Sequence, residues 1–201
     1  MSMLFWSSPA WETLTYWALD LETSGLRPAS DQILSVGLVP VRGGVVRLAE
    51  QYYTLVSPAE PERLSLEGLR AHHILPSELG QAPALAQVLP EVDARLREGV
   101  LLLHYARLDL AFLRAGYRRC GLAWPRPKVV DTVELALRLG YRQQRFHPHP
   151  QPPPTALPEA RERLGLPRYR NHHALSDALA TAELFLALRA RLGARTLREL
   201  S

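Results

Sequence analysis

The chain has 201 residues, 47% of them hydrophobic and 22% charged, which is the composition of an ordinary globular protein of one domain and excludes disorder as the global state. No run approaches the roughly 18 apolar residues that span a bilayer, and no basic residue precedes Arg27 to form the head of a secretory signal. The expectation is a cytoplasmic protein with no membrane partner, and the single cysteine, Cys120, excludes an internal disulfide and a paired-cysteine zinc site.

After a short extension over residues 1–13, residues 14–19 are β-prone, residues 23–30 are turn-rich, residues 32–41 are apolar with Gly37 inside, and residues 45–56 follow a Gly43-Gly44 turn. This pattern predicts three adjacent strands joined by tight turns. Prolines 58, 61 and 76 then break the chain into short helical pieces at 65–71 and 78–79, before an amphipathic helix over 84–97. A buried strand over 99–104, a helix over 108–116 and an apolar segment over 129–139, beginning near Asp131, give the strand–helix alternation of an α/β fold. Residues 147–154 hold five prolines, which fix φ and remove donors, so this run is a stiff surface loop. A short helix over 157–164 ends at Gly165, and a last helix with Leu175, Leu179, Ala182 and Leu186 on one face stops at Gly193.

Positive charge is carried almost wholly by arginine, since Lys128 is the only lysine among 24 basic residues and the formal balance is +4. A GC-rich or thermophilic genome explains such a bias as well as phosphate binding does. Between Arg107 and Arg145, however, eight arginines and Lys128 face three acids, Asp109, Asp131 and Glu134. That stretch suits a polyanion if it lines one face.

The sharpest feature is Asp20-Leu21-Glu22, closing a β-prone run and followed by Thr23-Ser24-Gly25. Strand alternation puts the two carboxylates on one face, about 6.6 Å apart. At a buried strand end their repulsion calls for a cation, and hard divalent ions such as magnesium or manganese prefer carboxylate oxygen. Alone, the pair reads as a solvated strand end rather than as a metal site. Asp109 follows the strand over 99–104, and Asp177 sits near the start of the last helix behind His172-His173-Ala174-Leu175-Ser176. An acid there is either favoured by the helix dipole as a cap or a metal ligand facing inward.

Taken together, Asp20 with Glu22, Asp109, and His172 five residues before Asp177 resemble the three motifs of the DEDDh 3′-to-5′ exonucleases, relatives of the proofreading epsilon subunit of bacterial DNA polymerase III. Leu-Glu-Thr-Ser-Gly is similar to the first motif, and His-x-Ala-Leu-x-Asp-Ala-x-Ala-Thr, from His172 to Thr181, to the third; Asp131-Thr132 is similar to a further recurring feature. The likeness covers residues 14–188. It implies a ribonuclease H-like fold, a mixed five-stranded sheet whose first three strands are antiparallel, flanked by helices. It also implies two divalent cations, Mg2+ or Mn2+, bound by Asp20, Glu22, Asp109 and Asp177, with Asp20 bridging and Asp109 partly acting through water. His172 is then the general base, with His173 its competitor; His72, His73, His147 and His149 are read as surface or packing residues, and His104 as structural.

The resemblance places Thr23 and Leu26 beside the 3′-terminal nucleotide. Tyr105 stands where the family commonly has asparagine, and Leu108 where it commonly has phenylalanine, so a stacking contact replaces an amide hydrogen bond at Tyr105. The implied partner is a nucleic-acid 3′ end, DNA favoured over RNA. Ribonuclease T and oligoribonuclease, which share the five residues, make an exoribonuclease the alternative, and a binding module with lapsed catalysis is the second. A polymerase partner stays open: no polymerase-binding tail is recognisable, Gln143-Gln144-Arg145-Phe146 is too loose for a sliding-clamp motif, and a free-standing repair or trimming enzyme is preferred.

Overall fold

The computed structural model describes residues 8–64, 74–145, 152–169 and 172–201. The helical piece expected at 65–71, the histidines 72, 73, 147 and 149, Phe146 and the first five residues of the proline run lie outside the described residues. One mixed sheet organises the chain, in the order β3-β2-β1-β5-β6 with β4 also on β2. Strand β1 (Thr15–Thr23) runs antiparallel to β2 (Ile33–Arg42) and parallel to β5 (Val100–Leu103), which runs parallel to β6 (Lys128–Asp131).

The sheet has six strands where five were expected. The third strand is split: β3 (Val45–Val46) pairs with Val41 and Arg42 of β2, and β4 (Tyr52–Leu55) pairs with Ser35 to Leu38, both antiparallel. A 3-10 turn at Leu48–Glu50 separates them, so the edge expected as one strand is served by two pieces. The first strand also runs four residues beyond the expected 14–19, which puts Asp20 and Glu22 inside the ladder, opposite Gly37 and Ser35.

Six α-helices are described: α1 (Pro76–Gln81), α2 (Leu85–Glu98), α3 (Ala106–Arg119), α4 (Thr132–Gln143), α5 (Leu157–Arg163) and α6 (Ala174–Leu192). Alternation along β1 sorts them into two layers. Tyr16 and Ala18 join Val39, Val41 and the apolar faces of α4, α5 and α6 in one core. Trp17, Leu19 and Leu21 join Val36, Leu38 and the faces of α2 and α3 in the other. Asp20 and Glu22 share the parity of Tyr16 and Ala18 and therefore face the layer of α6. That helix ends where expected, with Gly193 left-handed at φ 70° and its N–H donating to the Arg189 and Ala190 carbonyls. None of the described helices is long and apolar enough to cross a membrane.

Candidate active site

Three elements deliver the acids to one end of the sheet. In β1, Asp20 is half-buried and Glu22 is buried, just before a bulge between Glu22 and Thr23. Asp109 lies in the first turn of α3 and Asp177 in the first turn of α6, both buried. Gly37 makes the approach of α6 feasible. It is directly opposite Asp20 on β2, and a Cβ built there would lie 2.5 Å from the Leu175 amide nitrogen and closer still to the Ala174 carbonyl. The bare α-carbon lets the start of α6 rest on the sheet, carrying Asp177 towards Asp20.

As a result, one ligand atom from each of Asp20, Glu22 and Asp177 lies within 4.8 Å of the others. Asp109 stands beside this trio. Its carboxylate accepts the Leu21 N–H and its own, and its charge acts on Asp20. Burial, with the negative fields of Asp109, Glu22 and Asp177 behind it, drives the Asp20 carboxyl well above the usual carboxylate range. Burial likewise pushes Asp109 up to about 7, against the pull of its two N–H donors. Asp177 is raised by burial too, opposed by the His172 N–H.

The two oxygens of Asp177 differ in their surroundings. Its Oδ2 accepts the main-chain N–H groups of His172 at 2.8 Å and His173 at 3.4 Å, while its Oδ1 is buried with no hydrogen-bond partner among the described residues. A buried oxygen so placed, among carboxylates whose protons are held by mutual repulsion, fits a hard divalent cation. The donor set and this orphaned atom therefore agree with the metal dependence of the exonuclease motifs; the identity of the ion is a separate matter.

His172 is exposed and holds a left-handed backbone at φ 65°, a conformation that disfavours non-glycine residues by roughly 1–2 kcal/mol. His173 is the N-cap residue of α6, and its ring is stacked on Tyr53 at 4.7 Å between centroids and 22° between planes. Thr23 donates its hydroxyl to the Gly25 carbonyl at 2.7 Å, shaping the turn after the acidic pair. Leu26, 76% exposed, stands on the same connection, and Tyr105, 54% exposed, opens α3 from a second left-handed position at φ 64°.

Asp131 has a structural role that the sequence reading did not assign. Its Oδ1 accepts from Val133 N at 2.9 Å, capping α4, and from Tyr105 N at 3.2 Å; its Oδ2 accepts from Ala106 N at 2.9 Å. One carboxylate thus fixes the starts of two helices, including the one that carries Asp109. Thr155 was missed as well. Its carbonyl lies 2.8 Å from His104 Nε2 and its hydroxyl oxygen accepts the Tyr105 hydroxyl at 3.2 Å, tying the end of the proline run to the turn before α3. Burial lowers the His104 pKa, which favours a neutral ring with the Nε2 proton on that carbonyl and Nδ1 taking the Thr132 hydroxyl at 2.8 Å. An aspartate before a helical run announces a cap; no signal in the local sequence announces Thr155.

The model of the RNase_T exonuclease family matches residues 17–185. The chain belongs to this exonuclease family. Among its relatives, the PolC-type DNA polymerase III of Thermotoga maritima is 33% identical over 173 residues, covering 86% of this chain and 12% of that protein. A Mycobacterium tuberculosis protein described as a bifunctional exonuclease/endonuclease is 34% identical over 188 residues, covering 89% of this chain and 27% of its own. The chain therefore spans a small part of these relatives. Escherichia coli exonuclease I in complex with a dA16 oligonucleotide superposes with a TM-score of 0.75 at 17% identity, over 90% of this chain and 42% of that one, and the apo form with a TM-score of 0.73. These neighbours share the ribonuclease H-like exonuclease fold. The DEDD-type 3′-to-5′ exonuclease motifs, the matched family and the fold all agree, and the chain is an enzyme of the phosphodiester-hydrolase class.

Proposed function

We propose that this chain removes nucleotides one at a time from the 3′ end of single-stranded DNA, releasing nucleoside 5′-monophosphates, with Asp20, Glu22, Asp109 and Asp177 holding two divalent cations, Mg2+ or Mn2+, and His172 serving as general base. The observation that carries it is the convergence of Asp20, Glu22 and Asp177 within 4.8 Å, with the buried Asp177 Oδ1 unpartnered. When bound, a pair of such cations holds the attacking water and the leaving oxygen in line for phosphoryl displacement.

The residues do the rest. His172 is exposed, its main-chain N–H lies on the Asp177 carboxylate, and its imidazole would accept a proton from water entering the site. Asp177, by accepting the His172 main-chain N–H, fixes where that imidazole departs from the chain. Leu26 and Tyr105 present exposed apolar faces for the terminal bases, and Thr23 holds the turn between them and the acids. DNA is favoured because PolC-type DNA polymerases are among the relatives and exonuclease I, among the structural neighbours, has been solved with single-stranded DNA. A repair, proofreading or trimming role follows from that substrate class.

The test is digestion of 5′-labelled single-stranded DNA with Mg2+ or Mn2+. A ladder of shortened products from the native protein, absent from Asp20→Ala, is expected; no ladder above that control refutes the proposal. Matched DNA and RNA strands run side by side decide between this substrate and an exoribonuclease, since fit around the 2′-OH sets the preference. Strand binding without metal-dependent turnover is the signature of lapsed catalysis.

A further inference from the structure

The arginine-rich stretch does not line one face. On α4, Arg138 donates to the Glu199 and Ser201 carbonyls and Arg142 to the Leu192 carbonyl, so these cations tie down the chain end and the end of α6. On α3, Arg119 donates to the Pro28 and Asp31 carbonyls and braces the β1–β2 connection. Three remain on the outer side of α3. Arg107, Arg114 and Arg118 are exposed and form no ion pair among the described residues.

Their spacing makes a track. At 3.6 residues per turn, positions 107, 114 and 118 fall within about 40° of one another around the helix and span about 16 Å of its length. Asp109, the only acid of α3, is turned about 160° from Arg107 on the same count and is directed at β1 instead. The stripe therefore has no acid of its own helix to neutralise it. It begins in the first turn of α3, two residues after Tyr105 and two before Asp109, and runs from there along the outer side of the helix. Arg114 is already ordered, its guanidinium 5.7 Å from the centre of the Trp124 ring, which in turn meets Tyr117 edge-on at 5.1 Å. An arginine laid on an aromatic face keeps its N–H edges for phosphate.

We propose that Arg107, Arg114 and Arg118 form the track for the single-stranded DNA upstream of the 3′ end, each meeting a backbone phosphate, while the acids act on the terminal linkage. This rests on the exonuclease reading and adds to it the path of the strand. Phosphate contacts position a strand without reading its bases, so the track predicts length dependence and salt sensitivity with no sequence preference.

The experiment compares native protein with the triple variant Arg107→Ala/Arg114→Ala/Arg118→Ala and with Arg191→Ala, a control that removes an exposed arginine from the far end of α6. Binding of a dye-labelled oligothymidylate of about 16 nucleotides, the upper end of single-strand site sizes, is followed by anisotropy in EDTA across a salt series. Losing three phosphate contacts lowers the slope of log affinity against log salt by about 2. In a second arm with Mn2+, kcat/KM for the same strand is divided by kcat/KM for the p-nitrophenyl ester of thymidine 5′-monophosphate, too short to reach the track, and this ratio falls on the order of ten-fold in the triple variant. Arg191→Ala leaves slope and ratio at native values. A triple variant whose slope and ratio match those of Arg191→Ala overturns the track. If native protein turns over neither strand nor ester, the exonuclease reading fails, and the anisotropy arm alone still decides whether the track binds DNA.

Discussion

Gly37→Ala tests how the acidic centre is assembled, because it removes no acid and no candidate substrate contact. The added methyl would stand 2.5 Å from Leu175 N and nearer to the Ala174 carbonyl, on backbone that begins α6 and cannot swing aside as a side chain can. Restoring ordinary van der Waals distance demands a retreat of the α6 start by about 1 Å, and a misplacement of that size costs about 10²-fold in turnover where geometry is the catalyst. Asp177 rides on that segment, so the retreat opens its distance to Asp20 and Glu22. Overpacking of this kind destabilises by about 1–3 kcal/mol, and in a domain of this size each kcal/mol moves the thermal midpoint by about 2–4 °C.

The assay is kcat on labelled single-stranded DNA together with thermal midpoints with and without Mn2+. Expected are a loss of turnover near two orders of magnitude and a smaller Mn2+-induced rise in midpoint than in native protein. Gly80→Ala is the control: this glycine lies in α1 with nothing within 4 Å of its added Cβ, so alanine there leaves turnover intact and stabilises by roughly 0.5–1 kcal/mol. Native turnover in Gly37→Ala would show that the contact of α6 with β2 does not set the ligand geometry.

Asp20→Asn removes one of four mutually repelling carboxylates and is expected to raise the metal-free midpoint while abolishing turnover; a lowered midpoint counts against a crowded acidic pocket. Metal-free stability should also fall as pH rises. Asp109 titrates near 7 when folded and near 3.8 when unfolded, so between these values the native state keeps a proton that the unfolded chain loses. Its contribution is therefore present in full below about 4 and is gone above about 7, and midpoints measured in EDTA across that window decide it. Mn2+ should flatten the decline, since the cation replaces the protons. For Asp131, asparagine retains an acceptor for Val133 N but sets an amide against the Ala106 N–H, so Asp131→Asn should lose more turnover than helix stability, whereas Asp131→Ala loses the caps of both helices at about 1 kcal/mol each. Arg161, 3% exposed, donates to the Ala180 and Pro167 carbonyls and pairs with Glu183 at 2.7 Å; Glu183 also accepts the Tyr169 hydroxyl. Arg161→Ala is expected to destabilise by about 3–5 kcal/mol in chemical denaturation, because it leaves the Glu183 charge without its partner.

Those features with a local cause were legible in the sequence. Alternation in 14–19 and the glycine pair 43-44 announced the hairpins, and the helices over 84–97 and 157–164 lie within a residue of α2 and α5. The longer reach of β1 was hidden because two charged residues end an apolar run on paper; in the fold they continue the ladder, since β2 still offers partners at Gly37 and Ser35. The split of the third strand was hidden because residues 48–50 carry no proline or glycine to mark the 3-10 turn. Asp20, Glu22, Asp109, His172 and Asp177 were chosen by motif, and nothing in their local patterns says that three of them share a 4.8 Å neighbourhood while Asp109 stands beside it. Gly37 was visible as an oddity within a β-rich run, but its reason is a helix that begins 137 residues later in the chain.

The placement of the acids also explains how the chain tolerates them before any cation arrives. Asp109 and Asp177 each occupy the first turn of a helix, where the macrodipole offers about half a positive charge to a carboxylate. Main-chain N–H groups of Leu21, His172 and His173 add hydrogen bonds that favour the charged forms. Asp20 sits mid-strand with no helix end of its own, and burial first, then its three acidic neighbours, drive its carboxyl well above its ordinary range. A cation held by this cluster would relieve the repulsion, so the fold keeps unfavourable electrostatics where binding a cation recovers free energy.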